Sequence, residues 1–191
     1  MIYLVHTIVW TAFLGARIVL CSGGGAPSAA IKSERHHASP YSTALVLFHG
    51  IGFGAMYNGM GRAMRDSGIP RFFPPQAPLG ALVILSGAVL MCWAMAYFRS
   101  WRLQAKIDTG HELATGGPFA LMRHPIYVGI DLLGLGTALW IPTGMEFTAA
   151  LLLIIGSDLR ARAEEKVLVQ AFGDAYTAYM AKTKRFIPSV Y

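Results

Sequence analysis

Five apolar runs constrain the fold of this chain more than any other feature of its sequence. They cover residues 2–21, 43–61, 79–98, 126–141 and 145–158. A helix needs about 20 residues to cross the hydrocarbon core of a bilayer, so the first three runs have the length of a transmembrane helix. The last two are shorter and are joined by the sequence PTG, which favours a tight helical hairpin. The runs therefore predict an all-α, polytopic membrane protein with five transmembrane helices, the last two forming that hairpin.

The composition agrees with a membrane protein. Of the 191 residues, 54% are hydrophobic and 14% are charged, whereas about 25% of residues are charged in ordinary soluble domains. The net charge of +6 fits loops beside anionic lipid, and no basic run is interleaved with aromatic residues as in nucleic-acid binding. We predict a single membrane domain over residues 1–191, with three N-terminal spans in 1–98 and the lipid bilayer as its partner. Its oligomeric state stays open.

The distribution of Lys and Arg predicts the orientation. With five spans, residues 22–42, 99–125 and the tail after 158 lie on one side of the membrane, together with most of the basic residues; only Arg62, Arg65 and Arg71 lie on the other. Because loops rich in Lys and Arg stay in the cytoplasm, we expect a multi-pass protein of the cytoplasmic membrane. Its N-terminus would be outside and its C-terminus inside.

Residues 159–182 differ in character from the five runs. Apolar residues recur there at roughly helical spacing, with charged residues between them. This pattern predicts a helix that continues from the fifth run, breaks near Gly173 and lies on the cytoplasmic membrane face.

Several other features carry little chemistry. Cys21 and Cys92 lie in apolar segments, so we expect no disulfide. The adjacent His36 and His37 have no third ligand nearby, and we expect no metal site. The first run has no basic segment before it and is interpreted as a span and not as a cleaved signal peptide.

The glycines of HGIGFGAMYNGMG, residues 49–61, resemble a nucleotide-binding loop only in spacing, because they lie inside an apolar run with no preceding strand. Gly50 and Gly54 form a small-xxx-small pair, which predicts close helix packing. His49 and Asn58 are interpreted as hydrogen-bonding partners between helices.

Asp131 is a carboxylate inside the fourth run, on the helix face that also carries His124 and Tyr127. Such a residue is either functional or paired with a neighbour, such as Arg17 or a tyrosine hydroxyl. The sequence leaves both interpretations open.

The strongest constellation combines Arg123 and His124, which precede Pro125, with Glu164 and Glu165 about forty residues later. Proline marks a helix start, and a helix N-terminus attracts anions. The hairpin brings the two glutamates back to the level of this corner. Spacing alone leaves two interpretations open, which are a site for a zwitterionic ligand and a rim of surface charges.

The stretches GHELATGGPFALMRHPIYVG and RARAEEKVLVQAFGDAYTAYMAKTKRFIP resemble the isoprenylcysteine carboxyl methyltransferase family and the related phospholipid N-methyltransferases. The likeness covers about half of the chain, so residues 99–191 are interpreted as a methyltransferase-like half. It implies an enzyme that uses S-adenosyl-L-methionine, releases S-adenosyl-L-homocysteine, and methylates a lipophilic or small-molecule acceptor from the cytoplasmic side.

The resemblance also implies site residues. Glu164 corresponds to the acid that binds the cofactor, and Arg160 to the position that faces the methyl acceptor; these two are the predicted catalytic pair. Phe119 stands where the family usually has tyrosine, so only ring packing is expected there. The predicted cofactor-binding residues are Gln104, His111, Glu112, Leu113, Ala114, Phe119, His124, Pro125, Ile126, Tyr127 and Glu164.

Other functions compete with carboxyl methylation. Within the same chemistry, the acceptor is alternatively a phospholipid amine or a small-molecule amine or thiol. A non-catalytic protein that binds an isoprenoid or lipid is a different class. A sterol-type membrane reductase, to which the C-terminal half is loosely similar, would need a nicotinamide pocket, and the sequence contains no Rossmann signature.

Overall fold

The computed structural model of the protein describes residues 2–22, 40–66, 74–98 and 113–191. Regular structure in these ranges is helical and includes no strand, which agrees with the predicted all-α class. The predicted site residues Gln104, His111 and Glu112 lie outside the described ranges, as do His36 and His37.

The helices follow the predicted runs closely. In chain order they are α1 (Ile2–Ser22), α2 (Pro40–Asp66), α3 (Ala77–Phe98), α4 (Pro118–Leu121), α5 (Pro125–Trp140), α6 (Gly144–Phe172) and α7 (Asp174–Lys182). As predicted, α6 continues beyond the fifth apolar run, for a further fourteen residues from 158 to 172. The helix predicted for the tail is therefore continuous with that run.

Local residue chemistry explains where α5, α6 and α7 begin and end. Pro125 is the first residue of α5, where its fixed φ suits a helix and its missing N–H needs no partner. The side chain of Thr143 caps α6 by accepting a hydrogen bond from the Glu146 N–H at 3.3 Å. Gly173 separates α6 from α7 with φ +53°, a conformation that costs glycine little. The predicted break at Gly173 is confirmed.

The long helices alternate in direction, so that neighbours in the chain are antiparallel. The contacts that establish this join Tyr3 to Tyr57 and Trp10 to Phe53 for α1 and α2, and Asp131 to Ser157 and Tyr127 to Glu164 for α5 and α6. As a result, the start of α5, the charged half of α6 and the C-terminal segment share one end of the bundle.

Glycines bring α3 and α5 into close contact. A Cβ atom added at Gly80 would lie 2.7 Å from the carbonyl oxygen of Gly136, and one at Gly87 would lie 2.6 Å from that of Gly129. In each helix the two glycines are seven residues apart, so they lie on one face two turns apart. Small residues at such positions let two backbones approach directly.

The predicted packing of Gly50 and Gly54 is wrong. Among the residues that the structure describes, nothing lies within 4 Å of a Cβ atom added at either glycine. The glycines of α2 that face α6 are Gly52, packed against Leu153, and Gly59, packed against Glu146. The face of α2 that packs against α6 therefore carries a different pair of glycines, seven residues apart, from the small-xxx-small pair that the sequence suggests.

The structure identifies fewer membrane-spanning helices than the sequence predicts. Among the described residues, Ala77–Tyr97 is long and apolar enough to cross a bilayer, while Ile2–Ala16 and Pro125–Trp140 are apolar but shorter. One span is thus identified by length and composition. The five-span topology stays a prediction.

The close approach of α3 and α5 predicts that Gly87→Ala destabilises the protein by about 1–3 kcal/mol, because a methyl group would push the backbones apart. Gly54→Ala is the matched control, and its open surroundings predict no loss of stability and a gain of up to about 1 kcal/mol from helix propensity. Thermal unfolding of the detergent-purified variants measures both effects. Equal melting temperatures for the two variants would contradict the proposed α3–α5 contact.

Candidate functional site

The corner before α5 is held in place by the C-terminal segment. The backbone N–H of Arg123 donates a hydrogen bond to the carbonyl of Lys184 at 2.9 Å, and the N–H of His124 donates to that of Arg185 at 3.1 Å. The Arg123 guanidinium also donates to the carbonyls of Met180 and Thr183. The chain after α7 therefore runs alongside the corner and fixes its conformation.

Glu165 is the buried centre of an ion-pair cluster. Its carboxylate accepts hydrogen bonds from Arg123 Nε at 2.9 Å, from Arg185 Nη2 at 2.8 Å, and from His124 Nε2 at 3.2 Å. Arg123 Nη2 lies 2.8 Å from the same carboxylate. The carboxylate thereby joins α6, the corner before α5 and the C-terminal segment.

The electrostatics of Glu165 favour its ionised form. Burial alone would raise the pKa of this carboxyl, but the hydrogen bonds from His124, Arg185 and Arg123 outweigh burial and hold its pKa well below the usual range. The hydrogen bond to Glu165 correspondingly raises the pKa of Arg185. At neutral pH the ion pairs of this cluster therefore stabilise the fold near the predicted site.

Glu164 is adjacent in sequence but is held quite differently. It accepts a hydrogen bond from the Tyr127 hydroxyl at 2.5 Å. Its other neighbours are farther away, with His124 Nδ1 at 3.7 Å and Arg160 Nη2 at 3.8 Å. These two distances exceed hydrogen-bond length, and the side chain is 26% exposed. Of the two adjacent glutamates, Glu164 is therefore the one whose contacts with the protein can be replaced by contacts with a ligand.

Aromatic and cationic groups surround Tyr127. The ring of His124 lies nearly parallel to it at 5.7 Å between centroids, and the ring of His49 from α2 does so at 6.0 Å. The guanidinium carbon of Arg160 lies 5.3 Å from the centre of the Tyr127 ring. Side chains from α2, from α6 and from the corner before α5 thus surround one tyrosine.

The remaining predicted residues surround this centre less closely. Pro125 and Ile126 are buried in the first turn of α5. Phe119 packs its ring 6.2 Å from that of Tyr97, and its carbonyl accepts a hydrogen bond from the Tyr179 hydroxyl at 2.6 Å. Leu113 and Ala114 lie in the irregular segment before α4. The structure therefore brings His124, Tyr127, Arg160 and Glu164 together, while Phe119 contacts α3 and α7 through Tyr97 and Tyr179.

Asp131 has a different partner from those considered in the sequence. It accepts a hydrogen bond from the Ser157 hydroxyl at 2.7 Å. The Ser157 oxygen also lies 3.3 Å from Nε2 of His49, which confirms His49 as a hydrogen-bonding partner between helices. The side chain of Arg17 lies outside the described part of the structure.

The sequence did not single out several residues that shape this region. Arg185 and Tyr191 are the main examples, since Tyr191 donates to Asp158 at 2.9 Å and accepts from Arg185 Nη1 at 2.8 Å. No spacing rule connects residues this far apart in sequence. For His49 the sequence predicts a hydrogen bond between helices but gives no sign of its contact with the Tyr127 ring.

Glu165→Gln is predicted to destabilise the protein by about 3–5 kcal/mol at neutral pH, because it removes the carboxylate that pairs with the largely buried Arg123 and leaves Arg185 paired with Asp158. The depressed pKa of Glu165 makes this stabilisation fully present above the ordinary glutamate pKa of about 4.3 and lost as the pH falls below it. The difference in unfolding free energy between wild type and variant is therefore expected to narrow below about pH 4.

Glu164→Gln is the control for this experiment, because it changes the neighbouring acid, which has looser contacts, in the same way. Chemical unfolding followed by tryptophan fluorescence at several pH values measures both variants. Two results would show that this cluster does not carry the assigned charge pairing. One is a decrease in unfolding free energy for Glu165→Gln that is the same at pH 3 and pH 7. The other is an equal decrease in unfolding free energy for Glu164→Gln.

Comparisons with known proteins include a family model that covers all of α5 and α6. A family model described as phospholipid methyltransferase matches residues 76–175. The protein-S-isoprenylcysteine O-methyltransferase of Schizosaccharomyces pombe is 36% identical over 90 residues, which cover 45% of this chain and 37% of that protein. The enzyme of the same name from Saccharomyces cerevisiae is 30% identical over 117 residues, covering 59% and 48%.

The matches are thus partial, and the aligned regions span less than half the length of either curated relative. They nevertheless confirm the resemblance drawn from the motifs around Arg123–Tyr127 and Glu164. Because the family model covers more than half of its residues, this chain belongs to the phospholipid methyltransferase family.

Proposed function

We propose that the protein is an S-adenosylmethionine-dependent methyltransferase that acts on an acceptor held in or at the membrane. The observation that carries the proposal is the position of Glu164, which faces His124 at 3.7 Å and Arg160 at 3.8 Å beside the Tyr127 ring. An acid, an imidazole and a guanidinium meet there, and because both distances are longer than a hydrogen bond, a ligand group that enters between them breaks no hydrogen bond of Glu164 to His124 or Arg160.

The chemistry of these groups fits the proposed methyl donor. S-adenosylmethionine carries an ammonium, a carboxylate, ribose hydroxyls and a positive sulfonium. Glu164 is suited to the ammonium or the ribose hydroxyls, while His124 and the first-turn N–H groups of α5 are suited to the carboxylate. The ring of Tyr127 offers an electron-rich face to a cation. Phe119, whose ring packs near that of Tyr97, is suited to apolar packing.

When bound, the donor supplies an electrophilic methyl group, and the residues of the chain contribute chiefly orientation. Holding the acceptor in line with that methyl group accounts for several kcal/mol of barrier reduction in such reactions. We assign Arg160 to the acceptor, because its side chain is largely buried beside Tyr127, one helical turn before Glu164. A guanidinium can bind a carboxylate or a phosphate through two parallel hydrogen bonds.

The membrane setting follows from the surface of the bundle. Long apolar side chains are exposed along the outer helix faces, including Leu4, Leu47, Leu82, Val89 and Leu151. Each methylene group buried in lipid is worth about 0.8 kcal/mol, so a lipid-tailed acceptor is more easily methylated without leaving the bilayer. We propose a multi-pass arrangement with the N-terminus outside, and with the end of the bundle that carries His124 and Glu164 in the cytoplasm.

Two acceptor classes are supported by specific observations. The curated relatives are named for O-methylation of isoprenylcysteine, which favours a carboxylate on a lipidated cysteine. The family model is described by phospholipid methylation, which favours an amine headgroup. We propose the carboxylate first, because Arg160 is a matching counter-ion for it, and retain the amine as the alternative.

We predict that the detergent-purified protein binds S-adenosylhomocysteine with micromolar affinity and that Glu164→Gln weakens this binding at least about tenfold, as expected for losing one charge-assisted contact. Glu146→Gln is the matched control, since it removes an acid at the opposite end of the same helix. Isothermal titration calorimetry measures all three proteins. Absence of binding in wild type, or equal losses in both variants, would contradict the proposed donor site.

We further predict that Arg160→Ala leaves S-adenosylhomocysteine affinity within about threefold of wild type, while methyl transfer falls at least about a hundredfold through loss of a bidentate acceptor contact. Arg162→Ala is the control, because this exposed arginine pairs with Asp158 outside the site. Transfer of a radiolabelled methyl group to a farnesylated cysteine derivative or to phosphatidylethanolamine measures turnover with each acceptor class. An equal loss of binding and turnover in Arg160→Ala would refute its assignment to the acceptor.

A further inference from the structure

We propose that His49, in the second helix, is a positioning residue of the methyl-donor site, and that it acts through Tyr127 on Glu164. This inference rests on the proposed function. It assigns a role in the site to the N-terminal half of the chain, since His49 lies outside residues 76–175, which the family model matches.

A buried polar chain fixes the His49 ring. Asp131 of α5 accepts a hydrogen bond from the Ser157 hydroxyl of α6 at 2.7 Å. Because that hydroxyl already donates to Asp131, its oxygen is the acceptor for Nε2–H of His49, 3.3 Å away. His49 is only 4% exposed and Ser157 is fully buried. Hydrogen bonds among buried polar groups orient them strongly, since the alternative is an unsatisfied group.

The α6 backbone leaves space for this ring. A Cβ atom at Gly156 would lie 2.9 Å from both Nδ1 and Cε1 of His49. Any larger residue at position 156 would therefore push the imidazole away from α6. Glycine beside Ser157 thus allows the ring to reach its hydrogen-bonding partner.

The held ring in turn limits the freedom of Tyr127. The two rings are nearly parallel, with an interplanar angle of 28° and 6.0 Å between centroids. The hydroxyl of Tyr127 donates a hydrogen bond to Glu164, the acid that we propose binds the methyl donor. A loosened His49 ring would give Tyr127 room to tilt, and the carboxylate of Glu164 would lose the contact that orients it.

The test compares His49→Ala with His6→Ala in the full-length protein. His6 is an equally buried histidine that also contacts a hydroxyl, that of Thr137 at 3.0 Å, but it lies away from Tyr127. Both variants are expected to lower the melting temperature similarly. Only His49→Ala is expected to weaken S-adenosylhomocysteine binding, by about five- to tenfold, as for the loss of one positioned hydrogen bond.

Two further variants keep the proposal testable if His49→Ala does not fold. Ser157→Ala interrupts the polar chain and is expected to weaken binding to a similar extent. Asp131→Asn retains an oxygen that accepts from Ser157 and is expected to stay within about twofold of wild type. Weakened binding with Asp131→Asn but not with Ser157→Ala would overturn the proposed chain.

A double-mutant cycle identifies the route through Tyr127. If His49 acts by orienting that hydroxyl, then His49→Ala adds little to the loss already caused by Tyr127→Phe. Independent, additive losses would overturn the proposal, as would unchanged affinity in His49→Ala beside a binding-competent wild type. A wild type that binds no S-adenosylhomocysteine would instead overturn the proposed function itself, so the two failures are distinguishable.

Discussion

The pairing of the Glu165 carboxylate with Arg123, Arg185 and His124 is the interaction on which the rest of the site depends. It connects the charged half of α6 to the start of α5 and to the segment after α7, three parts of the chain that are far apart in sequence. Successive residues on a helix point about 100° apart, so anchoring Glu165 turns Glu164 toward Tyr127. Glu165, which holds the fold together here, thus sets the direction of Glu164, the acid that we propose binds the methyl donor.

This arrangement places a cluster of charged side chains at one end of a bundle whose outer faces carry long apolar side chains. The α3–α5 interface is built from glycines, and polar groups farther along the bundle, such as Asp131, Ser157 and His49, are paired with one another. At the end where α5 begins, side chains of both charge signs lie close together. A water-soluble donor and a lipid-tailed acceptor would meet at such a boundary, which is the physical argument for a methyltransferase embedded in the membrane.

Much of this could be predicted from the sequence where a single residue decides the local structure. Pro125 marks the start of α5 and Gly173 the end of α6, because backbone geometry alone determines both. The proximity of His124 to Glu164 followed from the length of the hairpin. Rotation about a helix axis was not predictable, and so Gly52 and Gly59 face α6 where Gly50 and Gly54 were expected to pack. Contacts of Arg185 and Tyr191 depend on how the C-terminal segment folds back, which no local pattern encodes.

An experimental structure of the protein bound to S-adenosylhomocysteine in a lipid environment would test the proposed donor site most sharply. We expect polar groups of the ligand to lie between His124 and Glu164, with the ligand sulfur near the Tyr127 ring and Arg160. This proposal also predicts that Glu165 keeps its pairing with Arg123 and Arg185. A ligand bound elsewhere, with Glu164 still contacting only protein side chains, would contradict the central claim.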